Sequence, residues 1–209
     1  MRLTKFTHAC VRIESDDDAV LVIDPGGFTE RAALDGVDAV LITHEHADHL
    51  DLGALADALG RRPAVRVFSH DAVIAKLGDL ADIATSVGSG DEFEAAGLSV
   101  RAYGGWHAVI HPDLDPVSNL GFLIGGSVYH PGDSFDVPDG VQVETLFVPV
   151  SAPWLKASDS IDFIRAVAPR RAFALHDHLY SPAGLGLIDG LLSRMGGTEY
   201  RRLAPGESA

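Results

Sequence analysis

The segment Ala39-Val40-Leu41-Ile42-Thr43 is an almost unbroken apolar run, and it is followed at once by His44-Glu45-His46-Ala47-Asp48-His49. A continuous apolar run of this length is the mark of a strand covered on both faces. The chain therefore needs a sheet with a layer on each side. At the end of that strand, three imidazoles and an aspartate fall within six residues. Gathering them without a cation would desolvate polar groups for no structural return. His44 and His46 are two apart and point to the same side of an extended backbone. Asp48 and His49, where the chain turns, face a second position beside the first. Zinc takes imidazole nitrogens at about 2.0–2.1 Å, and a catalytic site keeps one position for water. Two histidines do not complete such a site, so distant segments must contribute. His107, Asp133 and His176 each follow an apolar strand where it gives way to a loop, the usual setting for functional groups on a rigid scaffold.

Strands are expected at Leu3–Phe6, Cys10–Glu14, Ala19–Ile23, Ala39–Thr43, Val65–Ser69, Thr145–Val150 and Ala172–Leu175. Phe93–Glu94 and Leu98–Tyr103 form a hairpin around Ala96-Gly97. Gly121–Ile124 and Val128–Tyr129 form another, across the two-residue signal Gly125-Gly126. Helices are expected at Asp51–Leu59, Asp71–Leu77, Ser158–Val167 and Pro182–Met195, with Gly60, Pro169 and Gly196-Gly197 at stop positions. Hairpins come first and alternating strands and helices follow. That order predicts two packed sheets flanked by helices, and 209 residues suit one domain, 1–209.

Composition narrows the function classes. The net charge of −14, from 16 basic and 30 acidic residues, opposes binding to a phosphate backbone. The single cysteine excludes an intrachain disulfide and zinc sites built on several thiolates. Apolar stretches are far shorter than the roughly twenty residues of a membrane span, and no secretory signal is visible, so a cytoplasmic location is expected. There are ten histidines, an unusual supply of the commonest metal ligand.

The text THEHADH resembles the HxHxDH signature of the metallo-β-lactamase fold superfamily. IDPGG at 23–27, YHPGDS at 129–134 and ALHDH at 174–178 resemble its metal-dependent hydrolase branch, near the ascorbate-phosphate lactonase-like proteins. The likeness runs from THACVRIE at 7–14 to the last helix. It implies a four-layer αββα sandwich with a two-metal site along one edge. Carried over by position, His44, His46 and His107 would hold one metal and Asp48, His49 and His176 the other, with Asp133 bridging both. A hydroxide between the metals would attack an ester, lactone, thioester or phosphoester of a small molecule. Asp48 would orient the nucleophile and hand a proton to the leaving group. Zinc suits the histidine-rich set, although manganese and iron also use such mixtures. In the superfamily branch that binds two irons and reduces oxygen or nitric oxide, a glutamate usually stands where His46 stands. Its absence favours hydrolysis. The other readings are a metal-binding relative without turnover and a nucleic-acid processing enzyme of the same fold. The latter would need an added domain and a different charge.

Five further residues are expected beside the site. Asp24 either supports a ligand histidine or is a solvated turn aspartate. His8 faces the pocket or sits in a plain turn. His130 and His111 flank ligands as supporting or substrate-facing groups, and His178 competes with His176. His70 reads as a helix-start residue with no site role. Trp106 and Trp154 either wall the pocket or are core residues, and the core reading is the commoner fate of large aromatics. Lys156 or Arg12 would contact an anionic group. Homo-oligomerisation is open.

Overall fold

The computed structural model describes residues 1–209. Strands β1 (Arg2–Lys5), β2 (Val11–Glu14) and β3 (Val20–Ile23) each run antiparallel to the next. β4 (Ala39–Leu41) then pairs parallel to β3. Helix α1 (Leu52–Arg61) begins where the Asp51 carboxylate accepts the Ala54 amide at 3.0 Å, an N-cap. It leads to β5 (Arg66–Ser69), the single turn α2 (Asp71–Ile74) and β6 (Ala84–Ser86), which completes a six-stranded sheet in sequential order.

The second sheet repeats the plan. Strands β7 (Glu92–Ala95), β8 (Leu98–Trp106), β9 (Ser118–Ile124) and β10 (Val128–His130) run antiparallel. After them β11 (Thr145–Pro149), helix α3 (Ala157–Val167), β12 (Arg171–Leu175), helix α4 (Pro182–Met195) and β13 (Glu199–Arg201) add parallel strands. The seven strands again lie in sequential order.

Strand alternation divides the core into three parts. Leu21, Ile23 and Leu41 face Phe122, Phe147 and Leu175 between the sheets. The alternate residues Val20, Val22, Val40 and Ile42 pack outward against Leu55 and Leu59 of α1. Leu146 and Val148 pack outward against Ile161 and Ile164 of α3 and Leu192 of α4. The layers are helix, sheet, sheet, helix, as the αββα resemblance implies. The free edge of β1 is covered by the chain's last residues: Leu3 and Ala209 exchange backbone bonds at 3.2 and 2.9 Å, which blunts an edge otherwise open to pairing.

Direction is what places the site. In the first sheet β1, β3 and β4 point the same way, so His8, Asp24 and the 44–49 loop emerge at one rim. In the second, β8, β10, β11 and β12 share a direction, so His107, Asp133, Ser151 and His176 emerge together. Carboxyl ends of strands are where open α/β sheets hold ligands.

Two expectations are corrected, and two strands are added. The helix expected over Asp71–Leu77 is one α-turn, followed by a 3₁₀ segment at Gly78–Ile83. The turn between β9 and β10 has three residues, because Ile124 pairs with Val128. The edge strands β6 and β13 carry no apolar alternation that would have announced them.

Candidate metal centre

The loop after β4 is held by a close backbone approach. A Cβ on Gly26 would lie 1.8 Å from the Asp48 carbonyl oxygen, so only glycine fits beneath the 44–49 turn. The Gly27 amide donates to the Ala47 carbonyl at 2.8 Å. On the other sheet Gly132, at φ +62, lets the chain pass against Thr43 and Asn119. The Asn119 carbonyl oxygen then accepts the Asp133 amide at 3.0 Å.

The outer ring nitrogens are locked by neighbours. Asp24 sits in the left-handed region (φ 51) and accepts both the Thr43 amide, at 2.8 Å, and the Thr43 hydroxyl, at 2.7 Å. Its Oδ2 also lies 2.7 Å from His49 Nδ1. Thr43 Oγ1, having donated to Asp24, accepts from His44 Nδ1 at 3.0 Å. His107 Nδ1 donates to the Ala108 carbonyl and His176 Nδ1 to the Ser151 carbonyl, each at 2.5 Å. Acceptors at these four Nδ1 atoms, of His44, His49, His107 and His176, fix the tautomer and turn their Nε2 atoms inward.

Those Nε2 atoms converge on Asp133. Its Oδ1 lies 3.2 Å from His49 Nε2, and its Oδ2 lies 3.3 Å from His107, 3.2 Å from His176 and 3.9 Å from His44. His46 Nδ1 lies 3.0 Å from His44 Nε2. Asp48 Oδ2 reaches His8 Nε2 at 3.1 Å and His176 Nε2 at 3.3 Å. Two four-residue groups result: His44, His46, His107 and Asp133, and His8, Asp48, His49 and His176. In each, the ligating atoms lie within 4.8 Å of one another.

The site asks for positive charge. Burial alone would raise the Asp133 and Asp48 carboxyls, but the surrounding histidines outweigh it and hold both well below the ordinary range. Burial likewise opposes a charged His49, yet Asp133 and Asp24 push its pKa well above normal. His176 is pushed up to about 9 against burial, chiefly by Asp133. His44 and His8 go the other way: burial holds His44 well below normal and lowers His8 to about 4.

A metal fits this donor set by a direct test. His49 Nε2, His107 Nε2, His176 Nε2 and Asp133 Oδ1 are buried and have no hydrogen-bond partner. Buried polar atoms normally have one. Four orphans, His107 and Asp133 in one group and His49 and His176 in the other, are the donor side of a coordination shell, with nitrogen and oxygen ligands suited to zinc, manganese or iron.

A family model described as a beta-lactamase superfamily domain matches residues 2–176. The chain belongs to that superfamily. A protein of Mycobacterium tuberculosis, Rv0786c, is 40% identical over 215 aligned positions covering 100% of this chain and 99% of its own. MK1542 of Methanopyrus kandleri, named a UPF0173 metal-dependent hydrolase, is 27% identical over 87% of this chain and 86% of its own length. Among solved structures, the metallo hydrolase Igni18 of Ignicoccus hospitalis superposes with a TM-score of 0.76. It is 19% identical and covers 100% of this chain and 97% of its own, a likeness of fold.

The residues expected beside the centre fare unevenly in this superfamily member. His8 is fully buried within the second group, its ring 3.7 Å from that of His176. Asp24 is fully buried and bonded to His49, not solvated. His130 is fully buried and lines no part of the cavity at the site: it donates to the Ala9 carbonyl at 2.9 Å and accepts from the Gly132 amide, bracing the turn before Asp133. His111 is exposed and caps the Asp113 amide at 3.1 Å. His178 is exposed and lies against Phe28 rather than in either group. His70 is buried outside both groups. Arg12 is taken up by Glu14 and the carbonyls of Ala33 and Asp35 and lines no part of the cavity at the site. Lys156 lines no part of the cavity at the site. Trp106 is 63% exposed rather than core, and Trp154 sets its ring 5.4 Å from that of His107.

That cavity, about 380 Å³, is walled by Phe28, Ile110, Pro153, Trp154 and Leu179 around His46, Asp48, His107, Asp133 and His176. Ile110, Pro153 and Trp154 come from the loops at 104–119 and 150–157 that the sequence offers as pocket lining, whereas Phe28 and Leu179 escape it, their only signal being that they are apolar residues in loops. Thr43 and Ser151 escape it too, as the groups that orient His44 and His176. Their signal was position at a strand's carboxyl end.

Proposed function

We propose that this protein is a metal-dependent hydrolase acting on an ester, lactone, thioester or phosphoester bond of a small molecule, within one domain spanning residues 1–209. His44, His46 and His107 would hold one divalent cation and Asp48, His49 and His176 the second, with Asp133 shared between them. His8 is an added ligand candidate for the second. The observation that carries the proposal is the set of unpartnered, buried Nε2 atoms converging on Asp133. When bound, such ions supply Lewis acidity and lower the pKa of water so that a nucleophile is available at neutral pH.

The chain's own residues do the rest. Asp24, Thr43, Ser151 and the Ala108 carbonyl fix the imidazoles so that each presents a lone pair. Asp48, the more exposed of the two clustered carboxylates, opens into the cavity and is placed to hold or pass a proton at Oδ2. Phe28 and Trp154 restrict water around the reacting centre. No lysine or arginine lines the cavity, which supports a small-molecule substrate over nucleic acid. No helix is long and apolar enough to cross a membrane; the cytoplasmic location is part of the proposal.

Metal analysis of the purified protein, joined to a panel of chromogenic lactones, thioesters and phosphodiesters, tests the proposal. Zinc near two equivalents and turnover of one substrate class are expected, with manganese and iron read in the same analysis. His46→Ala is expected to lose metal and turnover. Full metal content and full turnover in that variant would end the assignment.

A further inference from the structure

A second cavity adjoins the centre. It measures about 520 Å³ and is formed by the loop of residues 106–117. Its walls are Trp106, Val109, Ile110, Leu114, Pro116 and Val117, and it shares His107 and Ile110 with the cavity over the metal centre. The apolar trough therefore lies directly beside the clustered imidazoles, with His107 and Ile110 facing both cavities.

The loop is anchored to the site. The Ala108 amide donates to the Asp133 carbonyl at 2.8 Å, and the His107 amide donates to the Val117 carbonyl at 2.9 Å. Its base is therefore fixed on two site residues, while its apolar side chains face solvent: Val109 is 75% exposed and Leu114 57%. Contiguous exposed apolar surface beside a polar centre marks a binding surface. The trough carries no lysine or arginine, and its ionisable members are His107, His111 and Asp115. Chemistry of this kind recognises a hydrocarbon chain and offers nothing to an anionic substituent.

We infer that the 106–117 loop holds an unbranched apolar chain of the substrate, with the bond to be cleaved lying at the histidine–aspartate cluster. The inference rests on the hydrolase reading and narrows it to acyl esters, thioesters or lactones that carry a hydrocarbon tail. In the step, the acyl carbon–oxygen or carbon–sulfur bond breaks and water is consumed. Its hydroxyl joins the acyl carbon and its remaining proton goes to the leaving oxygen or sulfur. The product left in the trough is a carboxylate with an apolar tail.

The test uses the zinc-loaded full chain and p-nitrophenyl acetate, hexanoate and decanoate. kcat/KM is expected to rise about two- to fourfold per methylene, the usual yield of burying one. Binding of acetate, hexanoate and decanoate, followed by tryptophan fluorescence, is expected to tighten in the same order without any turnover. Val109→Asp and Leu114→Asp are expected to bring the decanoate-to-acetate ratio toward one in both measurements. Val109→Leu is expected to retain it. Flat chain-length dependence in the native protein, or an unchanged dependence in the aspartate variants, overturns the inference and leaves the hydrolase reading intact. Chain-dependent binding with no hydrolysis of any ester leaves the trough standing and removes the hydrolase reading. A dimer that Val109→Asp dissociates, with flat chain dependence, assigns the apolar face to a second copy and also overturns the inference.

Discussion

The 44–49 loop and the 106–117 loop sit on opposite sheets and meet over one cavity, yet they depart from ordinary folding logic in opposite senses. The first loop buries polar atoms: His44 and His49 are fully enclosed, and His49 Nε2 has no partner. The second exposes apolar ones, with Trp106 63% and Val109 75% accessible. A buried orphan and an exposed hydrocarbon both cost stability when nothing is bound. Where local residue choice and fold stability disagree, a ligand is the usual reason. The contrast teaches that the two loops answer to different ligands, a cation and an apolar chain.

The strongest way to break that contrast is to remove the shared carboxylate. Asp133→Ala is expected to lose bound metal and to lower turnover on the order of a thousandfold, the several kcal/mol that a metal supplies. Chelation should act on stability as well. With metal at a hundredfold over its Kd, the native fold gains about 2.7 kcal/mol, so the thermal midpoint falls when metal is stripped. Metal analysis and calorimetry read both effects. An Asp133→Ala protein that keeps its metal and its rate would separate the cluster from the chemistry.

Gly26→Ala comes next and tests whether the first loop is rigid by construction. The new methyl would meet the Asp48 carbonyl oxygen at 1.8 Å and the His49 nitrogen at 2.5 Å, both backbone atoms. Displacing them is expected to cost about 3 kcal/mol in urea unfolding, at the upper end for overpacking, and to weaken metal binding with it. A variant as stable as the native protein would mean that the loop yields, and that Asp48 and His49 are less fixed than their contacts indicate.

Asp24→Asn is a smaller, chemical perturbation. Asparagine tolerates the left-handed backbone at this position, so the fold should survive. The charge that orients His49 and accepts from Thr43 is lost. Partners of this kind are worth about 10- to 100-fold in metal affinity, and titration with a competing chelator measures that loss. Unchanged affinity would show that the His49 ring is held by packing alone.

These sites differ in how openly the sequence announces them. The apolar run at 39–43 and the spacing of His44 and His46 can be read directly, because local backbone geometry alone puts both rings on one side. His107, Asp133 and His176 are visible as strand-end residues. Their meeting point depends on two sheets closing with matched directions, a non-local fact that only the family resemblance supplied. His8 hides for the same reason: it lies 36 positions before His44, and β1 must run parallel to β3 to bring it to the rim. Asp24 reads evenly as support or solvent because a turn aspartate looks the same in either role. Trp106 misleads because aromatic residues are usually buried, and exposure at a loop is set by what the loop covers. The strands Ala84–Ser86 and Glu199–Arg201 escape because an edge strand of three residues needs only backbone bonds.

The smallest expected effect sharpens the contrast most. Val109→Asp changes a side chain that is 75% exposed and lies outside both metal groups. Surface substitutions of this kind shift stability by about 0.5 kcal/mol or less in either direction. The midpoint of urea unfolding should therefore stay where it is in the native protein, and metal content should be unchanged, while preference for a long hydrocarbon chain falls. Placing a charge there removes an exposed apolar surface, so a slight gain in solubility is also consistent with the argument. If the variant instead unfolds several kcal/mol more easily, Val109 supports the fold of the loop. The apolar trough would then be structural packing rather than a surface kept open for a substrate, and the opposition between the two loops would lose its functional meaning.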